Sequence, residues 1–245
     1  MGSPPLCVEL FCGTFGWSQG WLDLGGEAVG FDIEHEAHHG PVPRNAHFAL
    51  QDVRTLHGKQ FRHASLILAS PPCQEFSYRA MPWKRARELG PPELGMELFH
   101  ACFRIQREAC EAAGRYIPMV VENVKGAQKY VGRARWHFGS YYLWGDVPAL
   151  MPETIRGAKN TGGSWFNIGS PGQRVTNRNP VHRDEHSGVK QAGLKGHEWF
   201  DIGMARHGSK SPARKAASAL VARIPERLSR HIAETYWPSE SERVA

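Results

Sequence analysis

The stretch from Leu6 to Asp32 constrains the fold more than any other. Leu6-Cys7-Val8-Glu9-Leu10-Phe11 is a short apolar run that ends in Cys12-Gly13-Thr14-Phe15-Gly16, the pattern of a buried strand delivered into a tight glycine turn. Segment 17–24 supplies a helix, Gly25-Gly26 stops it, and Glu27-Ala28-Val29-Gly30-Phe31-Asp32 reads as a second strand. Together they make one βαβ unit. Further strands are expected at 64–69, 117–121 and 140–144, separated by helical stretches such as 93–113. The alternation predicts an α/β fold with a doubly wound, mostly parallel sheet.

From about 151 to 205 the texture changes to Gly, Asn, Arg, His and Trp with no sustained period, which predicts a small irregular lobe. A regular pattern returns over 218–236, read as a helix with Ile224-Pro225 near its start. The expected organisation is a main domain over 1–150, the lobe over 151–205 and a C-terminal helical segment over 206–245 that returns to the main domain. A chain of 245 residues buries one full core, so a main domain with a small accessory lobe suits it better than two large domains.

Composition narrows the function classes. Hydrophobic residues make up 41% and charged residues 22%, and no window approaches the ~20 apolar residues that span a bilayer, so a soluble protein with no membrane partner is expected. The N-terminus lacks a basic region followed by an apolar one, so nothing marks it for secretion and the cytoplasm is expected. A monomer in a bacterial or phage-infected cell is the expected setting. The five cysteines (7, 12, 73, 102 and 110) are odd in number and include no CxxC pair, and His182, His186 and His197 have no cysteine near them in sequence. Neither a disulfide framework nor a metal site is expected. The net charge of +6 and pI near 9.2 favour a polyanionic partner, although an excess of this size is also common in proteins that never touch nucleic acid.

Two constellations carry chemistry. A strand that enters Gly13-Thr14-Phe15-Gly16 ahead of a helix is a plausible nucleotide cradle, because glycine lets the backbone approach a ligand and a helix start offers unpaired N–H groups. The pattern is GxxG, which a structural turn shares. Asp32 strengthens the reading: it lies 19 residues after Gly13 at the end of the next strand, where an acid accepts hydrogen bonds from ribose hydroxyls. Asp52 reads equally as an acid near the adenine or as a loop cap. At the other constellation, strand 64–69 runs into Ser70-Pro71-Pro72-Cys73-Gln74-Glu75-Phe76-Ser77, which puts a thiol beyond the carboxyl end of a central strand. The two prolines stiffen its approach. A lone cysteine is usually a packing residue. Here a second apolar strand ends in Met119-Val120-Val121-Glu122-Asn123-Val124, which brings a carboxylate and an amide to the same rim.

These blocks, LFCGxFG, PPCQ-x-FS and VENV, resemble the signature blocks of cytosine-C5 DNA methyltransferases, compact members with a short target-recognition region. Asp32 and Asp52 precede Cys73 by 41 and 21 residues, close to that family's arrangement. The resemblance covers about 6–145. It implies the Rossmann-like fold of class I S-adenosylmethionine-dependent methyltransferases and a DNA (cytosine-5-)-methyltransferase activity on double-stranded DNA. Phe11, Gly13, Thr14, Phe15, Gly16, Asp32, Ile33, Asp52, Val53 and Pro72 would hold S-adenosylmethionine. Cys73 would attack C6 of cytosine, Glu122 would act at N3, and Asn123 would orient the loop that carries Glu122. The target base must leave the stack to be reached.

Gln74, Ser77, Arg79, Lys84, Arg85 and Arg87 fall on a stretch that interleaves basic and aromatic residues, and family members close a loop over DNA from this position. The same run could be the solvated start of a charged helix. Arg174 and Arg178, in the irregular lobe, suit phosphate or base-edge contacts. The family's Gln-x-Arg-x-Arg block is matched only by Gln128 with Arg133 and Arg135 at the wrong spacing, so these arginines reach the base or phosphate, or lie on the surface. Ala222-Arg223-Ile224-Pro225 resembles the final family block without its preceding Gly-Asn. The alternatives are the same chemistry on RNA, as in a branch of the family that methylates transfer RNA, and a catalytically idle DNA-binding relative.

Overall fold

The strands are short apolar runs that must be covered on both faces, and helices on either side do so. The computed structural model describes residues 3–34, 42–76, 91–139, 141–152 and 223–239. Its strands are β1 (Leu6–Leu10), β2 (Glu27–Asp32), β3 (Ala46–Leu50), β4 (Ala64–Ala69), β5 (Met119–Asn123), β6 (Trp136–Phe138) and β7 (Tyr141–Gly145). They form one sheet in the order β3-β2-β1-β4-β5-β7-β6. Strands β1 to β5 run parallel, and β7 runs antiparallel to both its neighbours. This is the expected α/β fold with a doubly wound, mostly parallel sheet. The chain winds outward in one direction from β1 and in the other from β4, so the crevice between their carboxyl ends is the topological switch point.

The helices are α1 (Gln19–Asp23), α2 (Glu93–Ala113), α3 (Gln128–Val131) and α4 (Glu226–Tyr236). Phe99, Cys102, Ile105 and Ala109 recur every three or four residues along α2 and so share one stripe, buried with Val8, Ile67, Met119 and Val121 on one face of the sheet. Gly114 ends α2 in the left-handed region at φ +64°, which glycine adopts without a Cβ penalty. On the opposite face α1 and α4 bury Trp17, Trp21, Ile224, Leu228 and Ile232 against Leu66, Leu68, Val120 and Leu143. No described helix is long and apolar enough to cross a membrane.

Several boundaries differ from the sequence reading, four of them for a local reason that the structure shows. Strand β1 ends at Leu10, because Phe11 turns the chain at φ +60°. Helix α1 starts at Gln19, because the N–H groups of Trp17 and Ser18 are taken by Glu9. Strand β5 starts at Met119, after Pro118, which has no N–H to give a ladder. The expected helix over 218–236 is helical only from Glu226: Arg223–Pro225 is not, because Pro225 disfavours helical geometry in the residue before it, and 218–222 lie outside the described residues. Strand β6 is an addition that three residues of sequence do not announce.

Helix α4 docks on α1 through backbone contact. The Gly20 N–H donates to Ser229 Oγ at 2.8 Å, and that hydroxyl donates to the Trp17 carbonyl at 2.8 Å. A Cβ at Gly20 would stand 2.6 Å from the Arg230 backbone. We therefore expect Gly20→Ala to destabilise the protein by about 1–3 kcal/mol through overpacking, measured as a lower midpoint of urea unfolding.

Candidate active site

The turn after β1 is bent by unusual backbone. Phe11 at φ +60°, Gly13 at +46° and Phe15 at +59° all lie in the left-handed region, and the two phenylalanines carry a Cβ penalty of ~1–2 kcal/mol each. Such residues persist only when their surroundings over-determine them. The Cys12 N–H donates to the Phe31 carbonyl at 3.0 Å, and the Phe15 N–H to the Cys12 carbonyl at 2.7 Å. The Gly13 N–H donates to Asp32 Oδ2 at 3.0 Å, while Asp32 Oδ1 accepts from the Glu34 N–H at 3.1 Å. Asp32 is thus held at the end of β2 with oxygens that retain accepting capacity. A Cβ at Gly13 would meet nothing within 4 Å, so that side of the turn is open. Beside it the Ile33 side chain is 63% exposed. An open turn, a fixed carboxylate and an exposed apolar side chain suit a ligand with a ribose and an adenine.

Not every residue expected at this end presents a side chain there. Phe15 is fully buried, and Gly16 packs beneath Arg223 and Ile224, 3.1 Å from Arg223 Cγ to the Cβ that glycine lacks. Val53 is buried with Leu56 and Phe61. These three serve packing, because the turn and the residues after Asp52 double as core. Asp52 caps the helical turn Val53–Thr55 by accepting from the Arg54 N–H at 2.9 Å and pairs with the Arg54 guanidinium at 2.6 Å, which holds its carboxyl below the usual range. Thr14 is half-buried.

Glu9 escapes the sequence reading. It sits inside β1, 2% exposed, and its carboxylate accepts from the Trp17 N–H at 3.2 Å, the Ser18 N–H at 2.9 Å and the Ser18 hydroxyl. Burial pushes its pKa up to about 7; the bonds from Ser18 and Trp17 oppose that rise and the charge of Asp32 adds to it. A charged residue within an otherwise apolar strand is the available signal.

At the other side of the switch point, β4 and β5 are adjacent and parallel, with Ala69 opposite Val121. One residue beyond that register β5 carries Glu122, and four beyond it the β4 exit carries Cys73. Both side chains are half-buried, and Cys73 is in no disulfide. Glu122 lies close enough to Tyr141 that its charge adds to burial in raising that phenol. Asn123, 1% exposed, joins the two segments: its Nδ2 donates to the Pro71 carbonyl at 2.9 Å and its Oδ1 accepts from the Val124 N–H at 2.8 Å. The tie therefore holds the cysteine loop to the strand that carries Glu122.

Beyond Cys73 the chain is fastened again. The Phe76 N–H donates to the Cys73 carbonyl at 3.1 Å, and Glu75 accepts from the Gly95 N–H at 2.7 Å in the first turn of α2. A Cβ at Gly126 would stand 2.1 Å from the Phe76 carbonyl oxygen, so only glycine lets the segment after Asn123 pass there. Pro72 and Gln74 are exposed on the same loop.

Arg133 is exposed, and Arg135 is exposed just ahead of β6. The Arg135 N–H extends the β6–β7 hairpin by donating at 2.9 Å to the carbonyl of Leu143, the residue of β7 that stands opposite Glu122, and its charge acts on the Tyr236 phenol, whose hydroxyl donates to the Asp146 carbonyl. Ser77, Arg79, Lys84, Arg85, Arg87, Arg174 and Arg178 lie outside the described residues. Among the described residues no group of three or more His, Cys, Asp or Glu side chains could hold a metal ion.

With this geometry in place, comparison with known proteins is direct. The model of the family described as C-5 cytosine-specific DNA methylase matches residues 6–132, just over half of the chain. No curated protein matches the sequence. Among solved structures, a mutant of Spodoptera frugiperda DNMT2 is 20% identical with a TM-score of 0.36, over 51% of this chain and 37% of its own. An NAD-dependent NDP-hexosamine 5,6-dehydratase of tunicamycin biosynthesis gives 14% and 0.35 over 48% and 36%, and the antibiotic-resistance methyltransferase Kmr gives 13% and 0.30 over 51% and 60%. The chain thus spans less than two thirds of the length of each of these proteins.

The Glu9 carboxyl titrates higher in the folded chain than its unfolded value of ~4.3. The folded state then binds the extra proton, so this group's contribution is full at low pH and is lost as pH rises from about 4.5 to 7. Glu9→Gln should remove that slope. Chemical unfolding of both proteins from pH 4.5 to 8 should show their stability difference shift by up to ~3 kcal/mol, with nearly all of the change below about pH 7.5.

Proposed function

The chain belongs to the C-5 cytosine-specific DNA methylase family, and from that premise we propose that it methylates C5 of cytosine in double-stranded DNA through a covalent bond between Cys73 and C6 of the base. The observation that carries this reading is the pairing of β4 with β5, whose carboxyl ends deliver Cys73 and Glu122 to one rim, tied by Asn123 to the Pro71 carbonyl. A packing cysteine needs no carboxylate beside its loop and no stiffened approach.

C5 of cytosine is a weak carbon nucleophile. The Cys73 thiolate adds to C6, while Glu122 hydrogen-bonds to N3 and shares a proton with it, so that electron density gathers at C5 as an enamine. S-adenosylmethionine, the methyl donor of this family, supplies an electrophilic methyl group when bound. Transfer to C5 would break the donor's S–CH3 bond and release S-adenosylhomocysteine; a base or water then removes the C5 proton, and the electron pair of that C–H bond expels the thiolate from C6. Asp32 would accept the ribose hydroxyls, the open backbone from Phe11 to Thr14 would receive the amino-acid end, and Ile33 would cover the adenine.

DNA is the substrate this reading favours, because the matched family is a DNA methylase family and the net charge is +6. On the same reading, Arg79, Lys84, Arg85 and Arg87 follow the nucleophile into a loop that closes over the duplex with Gln74 and Ser77. On this reading the segment 151–205 would serve target recognition through Arg174 and Arg178, which lie outside the described residues.

Two experiments test the proposal. Labelled S-adenosylmethionine should transfer methyl groups to duplex DNA, and Cys73→Ala should lower the rate roughly 10³-fold or more while sparing DNA binding. A duplex with 5-fluorocytosine should trap a Cys73 adduct, since fluorine cannot leave as a proton. Transfer to transfer RNA alone would move the activity to RNA, and methylation of DNA without any Cys73 adduct would overturn the covalent route. For the cofactor, Asp32→Ala should raise the KM for S-adenosylmethionine about 10- to 100-fold, the loss expected when charge-assisted hydrogen bonds to a ligand disappear.

A further inference from the structure

Trp17 is the node at which three parts of the site meet. Its backbone N–H donates to Glu9 in β1, its carbonyl accepts from Ser229 in α4, and its indole Nε1–H donates to Ser70 Oγ at 2.8 Å. It is 1% exposed, so the direction of the indole is fixed by packing with Trp21, Ile224 and Leu228. Ser70 is the first residue after β4, and its own N–H donates to the Leu10 carbonyl at 3.2 Å. A buried indole N–H with one acceptor holds that acceptor in place, because leaving the N–H unpaired costs more than a neutral hydrogen bond contributes.

The next three residues are Pro71, Pro72 and Cys73. Proline fixes φ at both, so the heading of the chain at Ser70 is passed on to the thiol with little freedom to correct it. The Asn123 tie at Pro71 restrains the loop from the β5 side, and the Trp17 bond restrains it from the turn that follows β1.

We propose that Trp17 is a positioning residue whose indole, through Ser70, sets where Cys73 stands relative to the turn after β1. The inference rests on the reading of Cys73 as the nucleophile. The GxxG turn then acts twice, since the end of the turn that receives the cofactor also aims the thiol. Cofactor and nucleophile are registered to one another by a hydrogen bond between side chains 53 residues apart.

The test uses the full chain and reads the position of Cys73 without requiring turnover. Iodoacetamide labelling of Cys73 is followed by peptide mass spectrometry, with Cys110, which is also half-buried and lies in α2, as an internal reference. Ser70→Ala and Trp17→Phe should each shift the Cys73 rate at least about threefold and leave Cys110 within about twofold, and the double variant should match the single ones. Ser70→Thr keeps an acceptor oxygen and should restore the wild-type rate. Cys73 labelling unchanged in both single variants, a Thr variant that behaves like the Ala variant, or a parallel change at Cys110 would each overturn the proposal. Failure to trap an adduct on fluorocytosine DNA would instead count against the proposed nucleophile, so the two readings fail separately.

Discussion

A carboxylate inside the central strand governs the geometry of this site. Burying Glu9 is unfavourable unless its oxygens are used, and three donors from Trp17 and Ser18 use them. Meeting that demand folds the chain back within eight residues and forces the backbone between through positive φ at Phe11, Gly13 and Phe15. The bend then places the Gly13 N–H on Asp32. The turn after β1, the start of α1 and the docking seat of α4 all follow from satisfying one buried acid. That acid is also poised to titrate near neutrality, so protonation bears first on the turn.

The thiol side depends on restraint from several directions. A strand end alone would let the cysteine loop fray, since nothing in a parallel sheet dictates the chain beyond its last ladder bond. Here Ser70, Pro71 and Glu75 are bonded to Trp17, Asn123 and the first turn of α2, and Phe76 is wedged over Gly126. Each partner comes from a different element, so the loop reports the relative placement of β1, β5 and α2. Pre-organisation of this kind is what a nucleophile requires, because the cost of ordering is met in folding and not at the moment of attack.

Much of this is legible in the sequence because it is written in local patterns. Apolar runs of five or six residues mark the strands, and Asp32 and Cys73 stand at or just past their ends. Asn123 is legible as an orienting residue next to Glu122, but its partner, the Pro71 carbonyl 52 residues away, is not. What stays hidden is whatever depends on tertiary partners. Glu9 looks like a polar interruption of a strand, β6 is too short to show a period, and Arg135 stands near the family's basic block in sequence while its charge faces Tyr236 in space.

The glycine turn shows the same division within four residues. Gly13 opens onto space and carries its N–H to Asp32, so its lack of a side chain serves the left-handed backbone and leaves that side of the turn accessible. Gly16 faces Arg223 and Ile224 at 3.1 and 3.2 Å, so its lack of a side chain serves the entry to α4. One spacing therefore encodes two requirements, access on one side and close packing on the other. Because Trp17 follows directly and its indole reaches Ser70, the packing half of the motif is the half connected to the loop that carries Cys73.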